Sequence, residues 1–164
     1  MVESTLVVCH TDETVFHSVQ MFEAIRDYEA MLQLLHDDPS IVVTQATLSN
    51  LLRSKGELLV FVENSGQLVA TAQGSLCRTE PLWQVLVNNV VVHDDHQGMG
   101  HGRRIMSTLE QAVRVRWGEN GSRTIKLLLT NSPQKENAGF YRSVGWTART
   151  QENNNPTVCW IKEI

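Results

Sequence analysis

The sequence predicts an α+β fold, in which a mixed, mostly antiparallel central sheet carries helices on both faces as an α/β/α sandwich. Two observations predict it. Short β-branched runs, typical of strands, alternate with segments whose apolar residues recur at helical spacing. Three of the predicted strands follow one another between residues 58 and 92 with only short turn segments between them, as in an antiparallel sheet.

The composition indicates a soluble globular protein of one domain, residues 1–164. A chain of 164 residues can bury roughly two thirds of the surface that it exposes when unfolded. Hydrophobic residues make up 41% of the chain and charged residues 20%, which are ordinary values. The net charge of −4, without a run of Lys or Arg, argues against nucleic acid or an anionic membrane surface as the main partner.

The three cysteines and the N-terminus predict a cytoplasmic protein. Cys9, Cys77 and Cys159 lie far apart without C-x-x-C spacing, which favours buried thiols in a reducing compartment over disulfides or a zinc site. No stretch approaches the ~18 consecutive apolar residues of a membrane span. The first ten residues lack the basic region and the apolar core of a signal peptide.

The N-terminal third predicts a strand followed by helices. The strand is T-L-V-V-C, Thr5–Cys9. Helical spacing then continues as one long helix, or as two with a break near Asp27, until Asp37-Asp38-Pro39 stops it. A second helical stretch begins at either Thr44 or Thr47, both of which can cap a helix.

The middle of the chain predicts three strands. Leu58–Glu63 and Gln67–Leu76 are joined by N-S-G, a hairpin signal. Gly74, inside the second of these, marks a β-bulge. The third strand is the apolar run that ends at Val92, and its β-branched residues suit a strand buried on both faces.

A glycine turn joins this third strand to an amphipathic helix that ends near Trp117, and its glycines are Gly98, Gly100 and Gly102. The first N–H groups of a helix lack internal partners and carry partial positive charge, so such a turn can bind a phosphate or pyrophosphate. Arg103 and Arg104, in the first helical turn, oppose the helix dipole unless an anion lies close by. The alternative is a purely structural turn.

The C-terminal third predicts a strand, a short helix and a hairpin. The strand is Thr124–Thr130, and K-E-N-A-G-F-Y-R-S-V forms the helix. Trp146–Thr150 and Val158–Lys162 pair around the turn residues 153–156. A homodimer through these last strands, or through the strand near Val85, is compatible with the pattern.

Two motifs in this order carry a resemblance. Gln97, Gly100 and Gly102 match the pattern Gln/Arg-x-x-Gly-x-Gly/Ala directly after a buried strand. Phe140-Tyr141 and Gly145-Trp146 match a second pattern, in which an aromatic–Tyr pair precedes Gly-aromatic by three residues. Together they make the chain similar to the GCN5-related N-acetyltransferase (GNAT) family.

The resemblance covers roughly residues 58 to 150 and implies the acyl-CoA N-acyltransferase (GNAT) fold, whose sheet contains a splayed strand. It implies acetyl-CoA as co-substrate, with its pyrophosphate on the glycine turn and its pantetheine arm along the splayed strand. The residues that it assigns to acetyl-CoA are Val90, Val91, Val92, Gln97, Gly98, Met99, Gly100, His101, Gly102, Arg103, Asn131, Asn137 and Phe140.

The reaction that the resemblance implies is direct transfer of an acetyl group to a primary amine of a small molecule or peptide. Tyr141 would protonate or hydrogen-bond the departing CoA sulfur. The titratable groups nearest in sequence that could accept the proton of the amine are Glu80, His93 and His96, although both histidines also suit a polar loop. A metal site built from these histidines is disfavoured, because a short turn that faces a pyrophosphate is a poor cage.

The acceptor is the open part of this interpretation. The N-A-G-F-Y segment and V-N-N-V-V-V look most like glucosamine-6-phosphate N-acetyltransferases. Those enzymes carry acidic residues where this chain has Asn88 and Asn89, and many relatives carry an asparagine where it has Gln134. Two other classes remain: a non-catalytic acyl-CoA-binding or regulatory module, and a dinucleotide-binding protein. The second is disfavoured, because no βαβ unit with a following acidic residue surrounds the glycines.

Overall fold

The computed structural model describes residues 5–9, 21–64, 66–131, 137–150 and 158–164. Within these ranges, the chain forms four helices and seven strands, together with single 3₁₀ turns at Asp94–His96 and Glu119–Gly121. The helices and strands are β1 (Thr5–Cys9), α1 (Met21–His36), α2 (Gln45–Arg53), β2 (Glu57–Asn64), β3 (Gln67–Arg78), β4 (Trp83–Val92), α3 (His101–Trp117), β5 (Ile125–Asn131), α4 (Ala138–Ser143), β6 (Thr147–Thr150) and β7 (Val158–Glu163).

The seven strands form one mixed sheet in the order β1-β2-β3-β4-β5-β7-β6. β4 and β5 are parallel, and every other neighbouring pair is antiparallel. The parallel pair is possible because α3 connects the two strands as a crossover, which a tight turn cannot do. The predicted mixed, mostly antiparallel sheet is therefore confirmed.

Two apolar cores cover the two faces of the sheet. Leu58, Val60 and Val62 of β2 pack in the core that contains the apolar face of α3. Leu59 and Phe61, which alternate with them, pack in the core formed with α1 and α2. Because neighbouring side chains of a strand point to opposite faces, β2 contributes to both cores and reads as a continuous apolar run. The predicted α/β/α layering is confirmed.

β4 and β5 pair with one another over only the first part of their length. Their pairing runs from Trp83 opposite Ile125 to Leu86 opposite Leu128. Beyond that point β4 continues to Val92 and β5 to Asn131 without pairing to one another. A wedge therefore opens between the carboxyl ends of two parallel strands, which confirms the predicted splayed strand.

A β-bulge in β4 lies beside this wedge. Thr71 of β3 pairs with Val91, and Gln73 pairs with Asn88. Between these two pairs, β4 therefore contains one residue more than β3. Asn89, inside the bulge, has a left-handed backbone with φ of 50°. Asparagine tolerates this conformation better than most residues, because its short polar side chain can hydrogen-bond locally.

The predicted bulge at Gly74 is wrong. Gly74 pairs in regular register with Val87 on one side and with Leu58 on the other. A Cβ at this position would approach Val85 Cγ1 to 3.2 Å and Leu109 Cδ1 to 3.6 Å. The glycine is explained by the close approach of the Val85 side chain on the neighbouring strand β4, beneath α3, rather than by a break in the ladder.

Helix α1 has no break at Asp27 within its described length. The buried Asp27 carboxylate accepts a hydrogen bond from the backbone N–H of Leu68 at 3.1 Å, so it ties α1 to β3 instead of interrupting the helix. The helix ends at His36, and Asp37 follows with φ of 49°. Thr44, rather than Thr47, caps α2, because its hydroxyl accepts from the N–H of Thr47 at 3.1 Å.

The prediction that the cysteines are buried is wrong for Cys77. This side chain is exposed near the end of β3, where the register with β4 shifts, and its thiol donates to the Gln84 carbonyl at 3.4 Å. Cys159 is half-buried, and the side chain of Cys9 lies outside the described residues, as does the predicted turn 153–156. No helix in the described ranges is long and apolar enough to cross a membrane.

Candidate active site

A cleft of about 530 Å³, here called the glycine cleft, lies between the end of β4, the glycine turn at the start of α3, and α4. Most of the residues predicted to hold acetyl-CoA meet there. Its lining consists of Val90, Val91, Val92, His96, Gln97, Gly98, Gly100, Gly102, Arg103, Asn137, Phe140 and Tyr141.

The glycine turn presents backbone N–H groups to this cleft. Gly98 and Gly100 have positive φ values of 74° and 86°, a region that residues with a side chain rarely adopt. Gly100 is the N-cap of α3 and offers no side-chain hydrogen bond to the first turn of the helix. The orphan N–H groups of that turn therefore remain available to an anion, as the helix dipole favours.

Gly102 lets three elements meet at the same point. A Cβ on it would lie 3.2 Å from Phe140 Cε2 of α4 and 3.8 Å from Val92 Cγ2 of β4. The phenyl ring therefore packs directly on the backbone of α3. Any larger residue at this position would push α4 away from the glycine turn.

Gln97 fastens the turn to the strand that precedes it. Its side-chain amide donates to the Val92 carbonyl and to the Asp94 carboxylate, both at 3.2 Å. Arg103 lies exposed and lines the cleft, and within the described ranges its guanidinium makes only long contacts, of 3.4 Å with Ser143. Arg103 can therefore turn toward an anionic ligand at little cost.

Tyr141 is the ionisable side chain at the inner end of the cleft. Its ring is 5% exposed and packs against Phe140, Trp160 and Trp146, with centroid distances of 5.3, 5.4 and 6.2 Å. Burial raises the pKa of the phenol from 10.0 to about 12. Tyr141 therefore keeps its proton near neutral pH and can act as a hydrogen-bond donor.

A second cleft of about 350 Å³, here called the Asn88 cleft, adjoins the first. Val90, Asn137 and Tyr141 line both, so the two spaces meet at the phenol. The other residues that line it are Leu35, His36, Leu86, Val87, Asn88, Asn89, Leu129 and Thr130. Asn88 Oδ1 is buried there without a hydrogen-bond partner among the described residues, although an unsatisfied buried acceptor is costly.

Comparison with known protein families decides the affiliation of this fold. The profile described as "Acetyltransferase (GNAT) domain" matches residues 55–148, more than half of the chain. The chain belongs to the GNAT acetyltransferase family. The matched region runs from the start of β2 to β6, so it contains both motifs and the whole lining of the glycine cleft, whereas Leu35 and His36 of the Asn88 cleft lie before it. No curated protein matches the chain in sequence.

Solved structures share the GNAT fold over nearly the whole chain. Escherichia coli ElaA is 17% identical with a TM-score of 0.63, and 99% of each chain is covered. An acyl-CoA N-acyltransferase from Pseudomonas aeruginosa is 16% identical with a TM-score of 0.66, over 98% of this chain and 99% of that one. Arabidopsis thaliana Naa50, in complex with the bisubstrate analogue CoA-Ac-MVNAL, is 10% identical with a TM-score of 0.64, over 97% and 99%.

Three residues predicted to hold acetyl-CoA are not found in the glycine cleft. Met99 and His101 do not line it, and the side chain of Asn131 lies outside the described residues. Met99 is 64% exposed outside the cleft. His101 is 8% exposed, and burial, together with the charges of His96 and Arg104, lowers its pKa. Gly100 and Gly102 face the cleft, and the residue between them faces elsewhere because adjacent helical positions do not share a face. Asn131 ends β5, and its side chain lies outside the described residues, as does Gln134.

The predicted proton acceptors do not reach the Asn88 cleft. Glu80 is exposed and accepts from the Trp83 indole at 3.3 Å. His93 lines neither cleft, and its Nδ1 accepts from the backbone N–H of Asp95 at 3.2 Å. His96 lines the glycine cleft, and its Nδ1 is buried without a partner in the part of the chain that the structure describes. Within the described ranges, no group of three His, Cys, Asp or Glu side chains is arranged to hold a metal ion.

His36 is the site residue that the sequence did not reveal. It is the last residue of α1 and lines the Asn88 cleft, where its Nε2 lies 2.9 Å from Asn89 Oδ1. The two residues are 53 positions apart in the chain. The only sequence signal for a role was a histidine at the end of a predicted helix, which helix-dipole stabilisation explains equally well.

Proposed function

We infer that this GNAT protein transfers an acetyl group from acetyl-CoA directly to a primary amine of a small molecule or peptide. The single observation that carries the proposal is the meeting of two clefts at the Tyr141 phenol. One cleft has the cradle for a pyrophosphate, and the other has polar walls and an unsatisfied acceptor, Asn88 Oδ1. Two substrates bound in them would bring their reacting ends together at Tyr141.

The residues of the glycine cleft fit acetyl-CoA. The backbone N–H groups of the turn between Gly98 and Arg103 would hold the pyrophosphate, and Arg103 would add its charge. Past Leu86, the edge of β4 no longer pairs with β5. That edge would hydrogen-bond the pantetheine arm in the manner of an added strand. Acetyl-CoA supplies an activated acetyl thioester when bound.

Tyr141 would stabilise the departing thiolate mainly by donating a hydrogen bond. A thiol has a reference pKa of about 8.5, so it is a stronger acid than the Tyr141 phenol, whose pKa burial raises to about 12. Judged by the phenol pKa of the unliganded protein, full proton transfer from Tyr141 to the thiolate is therefore unfavourable. A charge-assisted hydrogen bond to the developing thiolate avoids that cost.

The experiment that tests the proposal is release of free thiol from acetyl-CoA across a panel of amines. The panel would contain peptides with a free α-amine, lysine-like alkylamines and amino sugars. We expect thiol release that depends on the amine and saturates with it. Tight acetyl-CoA binding without amine-dependent thiol release would instead favour the non-catalytic acyl-CoA-binding alternative.

Support for an acceptor class is uneven. A peptide amine is supported by the structure of Naa50, which was solved with the bisubstrate analogue CoA-Ac-MVNAL. Naa50 is 10% identical in sequence to this chain. An amino-sugar phosphate would need a phosphate-binding charge. Among the described residues that line the Asn88 cleft, none is Lys or Arg. The peptide or small-molecule amine is therefore the acceptor that we propose.

A further inference from the structure

The environment of His36 assigns it a chemical role in the Asn88 cleft. Its Nε2 lies 2.9 Å from Asn89 Oδ1. A ring nitrogen and an amide oxygen at this distance form a hydrogen bond only if the nitrogen carries the proton. Whether Asn89 presents its oxygen or its NH₂ group to His36 therefore decides which tautomer His36 adopts.

The orientation of the Asn89 amide follows from a chain of hydrogen bonds that begins at a carboxylate. Glu57 Oε2 accepts from the Ser75 hydroxyl at 2.7 Å and from Gln73 Nε2 at 2.9 Å. Because an ionised carboxylate can only accept, the NH₂ group of Gln73 must face it. Gln73 Oε1 then accepts from Asn89 Nδ2 at 3.0 Å, which leaves Asn89 Oδ1 directed at His36.

His36 is thereby held in one tautomer. Nε2 donates to Asn89, so in the neutral imidazole Nδ1 has a lone pair and no proton. The bulge in β4 makes this possible, since the positive φ of Asn89 aims the end of the network at the cleft. Asn89 therefore connects the Glu57 carboxylate to His36 through the side chain of Gln73.

We propose that His36 Nδ1 is the base that takes the proton from the acceptor amine, directly or through one water molecule. This inference rests on the proposed acetyl transfer. The ammonium form of the substrate gives its proton to Nδ1, and the freed lone pair forms the C–N bond to the acetyl carbonyl carbon. The C–S bond breaks, and its electron pair leaves as the CoA thiolate, which accepts a hydrogen bond from Tyr141. A second proton passes from the amide nitrogen to the thiolate through solvent, and imidazolium His36 returns its proton to solvent.

Few charges compete with His36 for this proton. Of the described residues that line the Asn88 cleft, His36 and Tyr141 are the titratable ones, and β4 and β5 present asparagines and Thr130 there. Asp38, just past the end of α1, is half-buried, and hydrogen bonds from Ser40 lower its pKa, with a smaller contribution from the charge of His36. The base therefore faces neutral side chains and a buried phenol.

His36→Gln tests the role, because it removes the titratable ring from an exposed position. General base catalysis typically contributes 10²–10⁴-fold, so we expect kcat/KM for a lysine-like amine to fall about 100-fold at neutral pH. Acetyl-CoA affinity by calorimetry should stay unchanged. Leu34→Gln is the matched control, since Leu34 is 42% exposed on the same helix and lines neither cleft.

The pH profile and chemical rescue separate a base from a structural residue. A base acts only in its unprotonated form, so we expect the wild-type kcat/KM to rise with pH. In His36→Gln this rise should move toward the pKa of the free amine, about 10 for a lysine-like side chain. Added imidazole should restore turnover to His36→Ala and leave the wild type unaffected. An unshifted profile without rescue would overturn the inference while leaving acetyl transfer intact.

A readout without substrate comes from long-range ¹H–¹⁵N NMR of protein with ¹⁵N-labelled histidine. The His36 signals, assigned by their loss in His36→Gln, should show a protonated Nε2 and an unprotonated Nδ1 in the neutral ring. The opposite tautomer would overturn the inference whatever the enzyme acetylates. A wild type that releases no thiol with any amine would instead overturn the proposed function, and the inference would fall with it.

Discussion

Tyr141 lines both clefts and carries a single hydroxyl group. Tyr141→Phe keeps the packing against Trp160 and removes only that donor. A hydrogen bond to a charged group contributes about 1.5–3 kcal/mol, so we expect kcat to fall about 10- to 100-fold. Steady-state kinetics would measure this, with calorimetry to verify that acetyl-CoA affinity is nearly unchanged. An unaltered kcat would exclude the proposed contact with the sulfur.

Asn89 acts through His36, so it is a positioning residue. Asn89→Gly keeps a backbone that adopts the φ of 50° and deletes the amide that orients the imidazole. We expect kcat/KM to fall by less than in His36→Gln, because the base remains but its tautomer is no longer held. Kinetics and the histidine NMR spectrum would be compared for the two variants. A loss as large as that of His36→Gln, with the tautomer unchanged, would contradict this role.

At the scale of elements, the glycine turn is the part of the site that the sequence predicts best. Positive φ at Gly98 and Gly100 is a local backbone requirement, and glycine is the residue that meets it without strain. The His36–Asn89 contact was not predictable in the same way. That contact depends on where α1 ends relative to the sheet and on the bulge in β4. In the sequence, the bulge is marked only by Asn89, a residue type that tolerates positive φ.

Gly100→Val tests whether the conformation of this turn binds the ligand. A β-branched residue disfavours a left-handed backbone by about 1–2 kcal/mol, so the turn should relax and acetyl-CoA affinity should fall about 10-fold. Gly121→Val is the matched control. Gly121 has φ of 85° and, like Gly100, open space around its Cβ position, but it lies outside both clefts. Equal affinities of both variants by calorimetry would refute the cradle.

At the scale of the whole molecule, the sequence predicted the order of the elements and the mixed sheet because local patterning specifies both. Gly74 shows the limit. From sequence it predicts a bulge, and the position of Val85 on β4 reveals that it serves close packing. Cys77 is similar, since its exposure depends on a register shift between β3 and β4. Contacts between distant segments decide such positions, and residue type alone does not.

Two buried tyrosines predict how the stability of the fold depends on pH. Burial raises the pKa of Tyr28 and of Tyr141 from 10.0 to about 12. A raised pKa in the folded state contributes stability below pH 10 that is lost as the pH rises toward 12. Each tyrosine should therefore account for a loss of about 2–3 kcal/mol in the free energy of unfolding.

Urea unfolding between pH 9 and 12 would measure this loss by comparing the wild type with Tyr28→Phe and Tyr141→Phe. Each variant should lose less stability with rising pH than the wild type does, because it lacks one of the groups that ionise on unfolding. Identical slopes for the variants and the wild type would contradict the burial of these phenols.

The most direct test of acetyl transfer is to measure the ratio of released CoA thiol to acetylated amine. Wild-type protein would be incubated with acetyl-CoA and a primary amine from the panel, and the released thiol and the acetylated amine would be quantified together, the latter by mass spectrometry. We expect one acetyl amide for each CoA thiol, with both absent when the amine is omitted. Thiol release of equal rate without the amine, or acetyl-CoA binding without any amide, would contradict transfer between the two clefts.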